Sequence, residues 1–208
     1  MQNYLLPLEA GQIYHIYNRG INGSNIFFEE RNYAYFLEKY AQHVGNWVNT
    51  FAYCLLKNHF HLLLRVKDLP DKVENSQNHQ TDKGLHSPHH FLSKCFSNFF
   101  NTYSKAINKT MKRTGGLFET PFKRILVNDE AYFSRLIGYI HQNPQKHGFV
   151  NDYREYTHSS YHSHLSAKNT RLARDEVLGW FGNREAYAEF HCTLHDSQDL
   201  SDLIIELD

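Results

Sequence analysis

Residues 47–67 read WVNTFAYCLLKNHFHLLLRVK, and this stretch sets the architecture of the chain. Two strongly apolar runs flank a short polar pair at 57–58, a pattern typical of two antiparallel strands joined by a tight turn. Side chains alternate across a strand, so His59 and His61 lie on one face and Phe60 lies on the other. The stretch therefore predicts a β-hairpin whose two imidazoles lie close enough together to bind one metal ion.

A second informative pattern lies further along the chain. Apolar residues with the spacing i, i+3, i+4 and i+7 predict an amphipathic helix there; they are Phe133, Leu136, Ile137 and Ile140. Asp129 is placed to cap the start of this helix, and Pro144 is expected to end it. Tyr139 and Asn143 are i, i+4 neighbours at the edge of the apolar stripe, so the helix presents a phenol and an amide together.

The two patterns complement each other. If the edge of the helix faces the histidine strand, Asn143 completes a site of two histidines and one amide, with Tyr139 beside it. Each pattern alone is also typical of ordinary buried residues, because paired histidines are often satisfied by hydrogen bonds and tyrosines at a stripe edge often only pack. Their occurrence in one chain favours a metal site with a neighbouring tyrosine.

Composition limits the kinds of protein that the chain can be. Its 208 residues are enough for one substantial core and a small extension. The three cysteines, Cys54, Cys95 and Cys192, fit neither a disulfide framework nor a zinc site, which indicates a reducing compartment. No early apolar run resembles a signal peptide, and no apolar stretch is as long as a membrane span. We therefore expect a soluble cytoplasmic protein without a membrane partner.

Charge is distributed unevenly along the chain. The formal net charge is zero, but residues 1–168 carry 19 Lys and Arg against 13 Asp and Glu, whereas residues 169–208 carry 3 against 9. We expect residues 1–168 to form a basic body that suits a polyanionic partner, and residues 169–208 to form an acidic helical extension. The extension is expected either to cap the core through Trp180 and Phe181 or to shield the groove that binds the polyanion.

Alternating and helical patterns divide the body into seven elements. Strands are predicted at residues 12–19, 47–56, 59–67 and 122–127, and helices at residues 29–44, 91–112 and 133–143. The order β–α–β–β–α–β–α indicates an α+β fold with an antiparallel sheet and helices packed upon it. Residues 69–90 are polar and rich in histidine, which predicts a mobile insertion, and the extension is expected to contain two or three short helices.

The ordered motifs of the chain resemble those of a known family. The matching stretches are YHIYNRG at residues 14–20, YCLLKNHFH at 53–61, GLF at 116–118 with FK at 122–123, YIHQNP at 139–144 and YTHSSY at 156–161. This set is similar to that of the REP-associated tyrosine transposases, within the single-tyrosine HUH transposases. The resemblance implies a ferredoxin-like or RRM-like catalytic domain that cleaves and rejoins single-stranded DNA near hairpin-forming repeats.

The resemblance also implies roles for individual residues. Tyr139 corresponds to the nucleophile, which forms a 5′-phosphotyrosine link and frees a 3′-OH. His59, His61 and Asn143 correspond to the ligands of a divalent metal, Mg²⁺ or Mn²⁺; imidazole suits Mn²⁺ better, but Mg²⁺ is abundant in cells. Gln142 is an alternative third ligand, and Asn143 is preferred because it keeps the i+4 spacing from Tyr139.

Basic side chains suggest where DNA binds. A predicted helix presents three of them on its outer face, at Lys105, Lys109 and Lys112. These lysines are predicted to follow a phosphate backbone, and an ordinary solvated face is the alternative. Three more are expected near the catalytic residues, at Arg19, Lys123 and Arg124. The sequence does not distinguish a monomer from a homodimer.

Two other functions compete with the transposase hypothesis. A domesticated protein of the same fold would bind hairpin DNA without cutting it, and an unrelated metallohydrolase would use His59 and His61 to activate water. The presence of Tyr139 and Asn143 with both histidines argues against the first. The absence of a positioned carboxylate base near the histidine strand argues against the second.

Overall fold

The structure, a computed structural model, describes residues 6–69 and 88–194 of the chain. Most of the predicted insertion at 69–90 lies outside the described residues, and so does the end of the acidic extension from residue 195. Within the described ranges, no helix is both long enough and apolar enough to cross a membrane.

Four antiparallel strands form one sheet, and three helices pack on it. The strands are β1 (Ile13–Arg19), β2 (Val48–Leu55), β3 (His59–Val66) and β4 (Lys123–Val127). The helices are α1 (Glu30–His43), α2 (Pro88–Thr110) and α3 (Glu130–Lys146). The strands lie in the order β2-β3-β1-β4, which together with the element order is the ferredoxin-like arrangement. The predicted α+β fold, its hairpin and its order of elements are confirmed.

One face of the sheet carries an aromatic core. Because side chains alternate along β3, Phe60, Leu62 and Leu64 all point to this face and are fully buried against α1 and α2. Phe36 of α1 lies at the centre, with its ring centroid 5.0 Å from that of Phe60 and 4.8 Å from that of Phe99 on α2. This face therefore anchors the sheet, and the other face of β3 is left for the histidines.

Helix α3 covers the opposite face, over β2 and β3. Asp129 caps the start of the helix as predicted, because its side chain accepts a hydrogen bond of 2.6 Å from the backbone N–H of Tyr132. Leu136, Ile137 and Ile140 are fully buried in a second apolar cluster beneath the helix. The predicted amphipathic stripe is thus the face that packs on the sheet.

Pro144 does not end α3, and this prediction from the sequence is wrong. The helix continues to Lys146, and the backbone N–H of His147 still donates to the carbonyl of Asn143 at 3.0 Å. Proline removes only its own N–H, so the loss falls on one carbonyl, that of Ile140 four residues earlier, and the following N–H groups can continue the helix. The Pro144 carbonyl itself accepts from the N–H of Phe149 at 2.8 Å.

Three short helices follow α3. They are α4 (Tyr161–Leu165), α5 (Arg174–Phe181) and α6 (Arg184–Thr193). Val177 of α5 and Tyr187 of α6 are fully buried in the same apolar cluster as α3. The ring of Trp180 lies 4.8 Å from that of Phe133. The described part of the acidic extension therefore packs on the core, while a domain division at residue 168 stays a prediction.

Candidate active site

Strand β3 and helix α3 bring four predicted residues together. The Nε2 atom of His59 lies 3.2 Å from the Oδ1 atom of Asn143, and the ring centroids of His61 and Tyr139 are 5.9 Å apart. All four side chains are buried. The histidines reach this point because they occupy alternate positions on β3, and the phenol and amide because they lie one turn apart on α3.

Burial controls the protonation of these groups. It lowers the pKa of His59 to about 4, and it lowers the pKa of His61 well below its usual value. Both imidazoles are therefore neutral near pH 7, which is the form that binds a metal. Burial also raises the pKa of Tyr139, so the phenol is protonated at rest.

The hydrogen bonds of His59 leave a lone pair facing an oxygen atom. Its two ring nitrogens both face amide oxygens, which can only accept: Nδ1 lies 2.8 Å from the Oδ1 of Asn58 and Nε2 lies 3.2 Å from the Oδ1 of Asn143. The neutral ring has one proton, and the shorter contact favours Nδ1 as its position. The bare Nε2 then faces the Oδ1 of Asn143 at 3.2 Å. Two acceptors held together in a buried space favour a cation between them.

The arrangement fits a divalent metal ion. Two ligands held about 2.1 Å from one ion and at a right angle lie about 3 Å apart, close to the observed separation of the His59 and Asn143 atoms. Among the described residues, the Nε2 of His61 and the Nδ2 of Asn143 are buried without a hydrogen-bond partner. In the same ranges no three His, Cys, Asp or Glu side chains gather as a metal site, so a site here needs the Asn143 amide.

Gln142, the alternative ligand, is already engaged elsewhere. Its Nε2 donates to the backbone carbonyl oxygens of His191 at 2.8 Å and Leu194 at 3.0 Å. These bonds hold the side chain against the end of α6. The placement favours Asn143 as the amide that faces the histidines.

Two of the predicted DNA-binding residues flank the site. Arg19 lies opposite His59 in the pairing of β1 with β3, and its Nε donates to the Oε1 of Glu119 at 2.8 Å. Lys123 lies opposite Tyr17 in the pairing of β4 with β1, and Tyr17 in turn lies opposite His61. Both basic residues therefore belong to the histidine face of the sheet.

Arg124 is inside the protein, so its predicted contact with DNA does not fit the structure. It is next to Lys123 on β4 and therefore points to the opposite face, where only 7% of its surface is exposed. Its guanidinium donates to the carbonyl of Leu6 at 3.1 Å and to the hydroxyl of Ser93 at 2.8 Å. The group also lies over the ring of Phe122, 4.2 Å from the centroid. Arg124 thus ties β4 to α2.

Two of the three predicted lysines near the end of α2 lie away from the candidate site. Lys105 and Lys109 are exposed on α2, which packs against the aromatic face of the sheet rather than the histidine face. Lys112 does not share their helical face as predicted, because α2 ends at Thr110 and Lys112 has a φ of 51°. The left-handed backbone at this residue turns the chain away from the helix axis.

Three further side chains lie at the site without a role predicted from the sequence. His15 of β1 is buried, and its Nε2 lies 3.0 Å from the Nδ1 of His61. The Nζ of Lys146 lies 5.5 Å from the centroid of the Tyr139 ring, and the His147 ring lies 5.2 Å from that of His59. Lys146 and His147 lie on the same helical face as Tyr139 and Asn143. The prediction that the helix ends at Pro144 left them out.

A cavity of about 690 Å³ opens beside Tyr139. Its wall includes two glutamines of α3, Gln142 and Gln145, and two basic residues, Lys146 and Arg154. Arg154 is paired with Asp152, which also lines the cavity. The space beside the phenol is thus polar and large enough for a small ligand.

Comparisons with known proteins give one consistent result. No family model matches the chain. A Haemophilus influenzae protein named "Putative REP-associated tyrosine transposase" is 25% identical over 178 residues, which cover 81% of this chain and 90% of that protein. The chain resembles the REP-associated tyrosine transposases. The resemblance inferred from the ordered motifs is thereby confirmed.

A solved structure of a REP-associated tyrosine transposase bound to a REP hairpin has the same fold. It matches with a TM-score of 0.58 over 80% of this chain and 87% of that chain. The sequence identity is 14%, so this likeness to a REP-associated tyrosine transposase bears on the fold alone.

Proposed function

We propose that this chain is a metal-dependent transposase that cleaves and rejoins single-stranded DNA at hairpin-forming repeats through a 5′-phosphotyrosine intermediate. One observation carries the proposal: His59, His61, Asn143 and Tyr139 converge from a strand and a helix that are far apart in sequence. The name of the similar Haemophilus influenzae protein supports the same class of activity, and the structural neighbour, which shares the fold, is itself bound to a REP hairpin.

In this proposal three side chains hold the metal. His59 and His61 offer neutral imidazole nitrogens, and Asn143 offers its amide oxygen, which leaves further positions for phosphate and water. A bound Mg²⁺ or Mn²⁺ would offset the negative charge of the scissile phosphate. The chain itself fixes the ligands on two rigid elements, so the phosphate meets a preorganised site.

Tyr139 supplies the nucleophile. Its phenolic oxygen forms a bond to phosphorus, the bond from phosphorus to the 3′ oxygen breaks, and the phenolic proton leaves as the attack proceeds. The DNA fragment on the 5′-phosphate side stays on the enzyme, and the other fragment ends in a free 3′-OH. Because the phosphotyrosine ester keeps the energy of the broken bond, a 3′-OH can reverse the step and join strands.

The surroundings of Tyr139 suit an unpaired strand. The ammonium of Lys146 lies over the phenol ring, and Arg19 and Lys123 belong to the same face of the sheet. Positive charge near the reacting phosphate attracts the DNA backbone. The polar cavity beside Tyr139 has room for a nucleotide that is not held in a duplex.

The decisive experiment follows both ends of the DNA. A hairpin oligonucleotide with a single-stranded flank is labelled at the 3′ end or at the 5′ end and incubated with the protein and Mn²⁺. We expect the 3′ label to move with the protein on a denaturing gel, and the 5′ label to appear as a shortened strand with a free 3′-OH. Movement of the 5′ label with the protein would contradict the proposed polarity. Binding without any adduct would favour the alternative, a domesticated protein that binds hairpin DNA without cleaving it.

The α2 lysines provide a test of the extent of the DNA-binding surface. If the hairpin reaches round the sheet to α2, Lys105→Ala and Lys109→Ala each remove a phosphate contact. The affinity should fall in steps, and the slope of log affinity against log salt should decrease by about 1 for each lysine. Lys168→Ala, at another exposed lysine, is the control and should change neither quantity. Unchanged binding in the double variant would restrict the DNA surface to the histidine face.

A further inference from the structure

We propose that His15 is the positioning residue of the metal site: it accepts the Nδ1–H of His61 and so fixes the tautomer in which the Nε2 of His61 faces the ion. The inference rests on the proposed function, because it concerns how one ligand of that site is oriented. His15 touches a ligand and not the substrate, so its role is exerted through His61.

The geometry places His15 directly behind His61. Tyr17 pairs with His61 across β1 and β3, and His15 is two residues earlier on β1, so both imidazoles share the histidine face. The Nε2 of His15 lies 3.0 Å from the Nδ1 of His61, and both side chains are at most 2% exposed. The Tyr17 ring lies against the pair: it stacks on His61 with the centroids 6.0 Å apart, and it is tilted relative to His15 with the centroids 5.0 Å apart.

Only one of two proton arrangements leaves His61 able to bind a metal. Both rings are buried and share one hydrogen bond, and in a pair of neutral imidazoles one ring donates its single proton to the bare nitrogen of the other. If His15 donates, the remaining nitrogen of His61 bears a hydrogen and cannot be a ligand. If His61 donates from Nδ1, its Nε2 keeps a lone pair. That Nε2 is buried and has no hydrogen-bond partner among the described residues.

The identity of the acceptor has a chemical consequence. Histidine ligands commonly donate their second N–H to a carboxylate, a backbone carbonyl or water, which orients the ring and raises the basicity of the ligand. Here the acceptor is a neutral imidazole, which orients the ring without adding negative charge. His15 therefore does not offset the positive charge of a bound ion, which stays available to the phosphate. The hydrogen bond to His15 acts mainly on the orientation and the tautomer of the His61 ring.

Metal binding, measured without DNA, tests the inference. His15→Phe keeps an aromatic ring but removes the acceptor, so we expect the Mn²⁺ dissociation constant from calorimetry to rise about 10- to 100-fold. His15→Gln places a carbonyl oxygen near the former Nε2, and it should restore most of the affinity. The control is His164→Phe, because His164 is also a buried histidine with one bond through Nε2, to the Phe51 carbonyl, and an unpartnered Nδ1 in the described ranges. It should leave Mn²⁺ binding unchanged.

The possible outcomes separate this inference from the proposed function. If the wild-type protein binds no Mn²⁺, the metal site of the proposed function fails. If the wild type binds Mn²⁺ and the folded His15→Phe variant binds it equally well, only the role of His15 is overturned. Should His15→Phe fail to fold, long-range ¹H–¹⁵N spectra of the wild type loaded with diamagnetic Zn²⁺ decide the matter. They should show a proton on Nδ1 of His61 and none on Nε2 of His15; the reverse assignment would overturn the inference.

Discussion

Replacing Tyr139 with phenylalanine should abolish the covalent adduct and lower the rate of DNA cleavage by about 10⁴-fold or more, as loss of a covalent nucleophile does in other enzymes. The phenolic oxygen is the only atom removed, and it is the atom proposed to attack phosphorus. The ring itself is retained, so its edge-on packing with His61 and its place under Lys146 are kept. Binding of hairpin DNA should therefore persist while cleavage is lost.

A second tyrosine on the same helix provides the matched control. Tyr132 lies on the first turn of α3 and is partly buried, but it does not line the cavity beside Tyr139. Tyr132→Phe should cleave DNA at the wild-type rate. A Tyr139→Phe variant that still forms the adduct would require a different nucleophile and would end the assignment.

Replacing His59 with alanine should remove both Mn²⁺ binding and cleavage, with a loss in rate of about 10³-fold or more if the ion supplies several kcal/mol of charge stabilisation. The buried imidazole of His59 is a proposed ligand, and its Nε2 lies 3.2 Å from the Oδ1 of Asn143. The variant keeps Tyr139, so any residual cleavage measures what the phenol achieves alone. His162→Ala is the control, since His162 is an exposed histidine of α4, and it should bind Mn²⁺ and cleave DNA as the wild type does.

The third ligand can be tested by a pair of substitutions at one position. Asn143→Leu keeps the branched shape of the side chain without an oxygen atom, so it should lose Mn²⁺ affinity and cleavage together. Asn143→Asp offers a carboxylate oxygen in the same place, and hard divalent ions bind such oxygens well. It should therefore retain Mn²⁺ binding. Equal binding by Asn143→Leu and the wild type would rule out the amide as a ligand.

The sequence allowed the main parts of the fold and the meeting of the site residues to be predicted. Alternation in β3 places His59 and His61 on one face, and helical spacing in α3 places Tyr139 one turn before Asn143. These are local properties of single elements. Packing of the apolar stripe of α3 on the sheet is enough to bring these two elements together.

Properties that depend on pairing between elements were less accessible. Arg124 is buried because its position on β4 points it to the face that α2 covers. The sequence of a five-residue strand is too short to show which face is covered. His15 shares the face of His61 only through the register of β1 against β3. The sequence does show that His15 and Tyr17, two residues apart on β1, share one face of that strand. The register that places this face beside His61 comes from the folded sheet.

The alternation along β3 also constrains how this hairpin can change in length. Inserting one residue between the turn at residues 57–58 and Phe60 would move each following side chain of β3 to the other face of the sheet. Leu62 would then face α3, and Leu63 would face the aromatic core. His61 would leave the site while the composition of the strand stayed almost the same. Inserting two residues would restore the faces. We therefore expect this hairpin to tolerate insertions or deletions of an even number of residues only. A count of the retained histidines alone would not reveal this constraint.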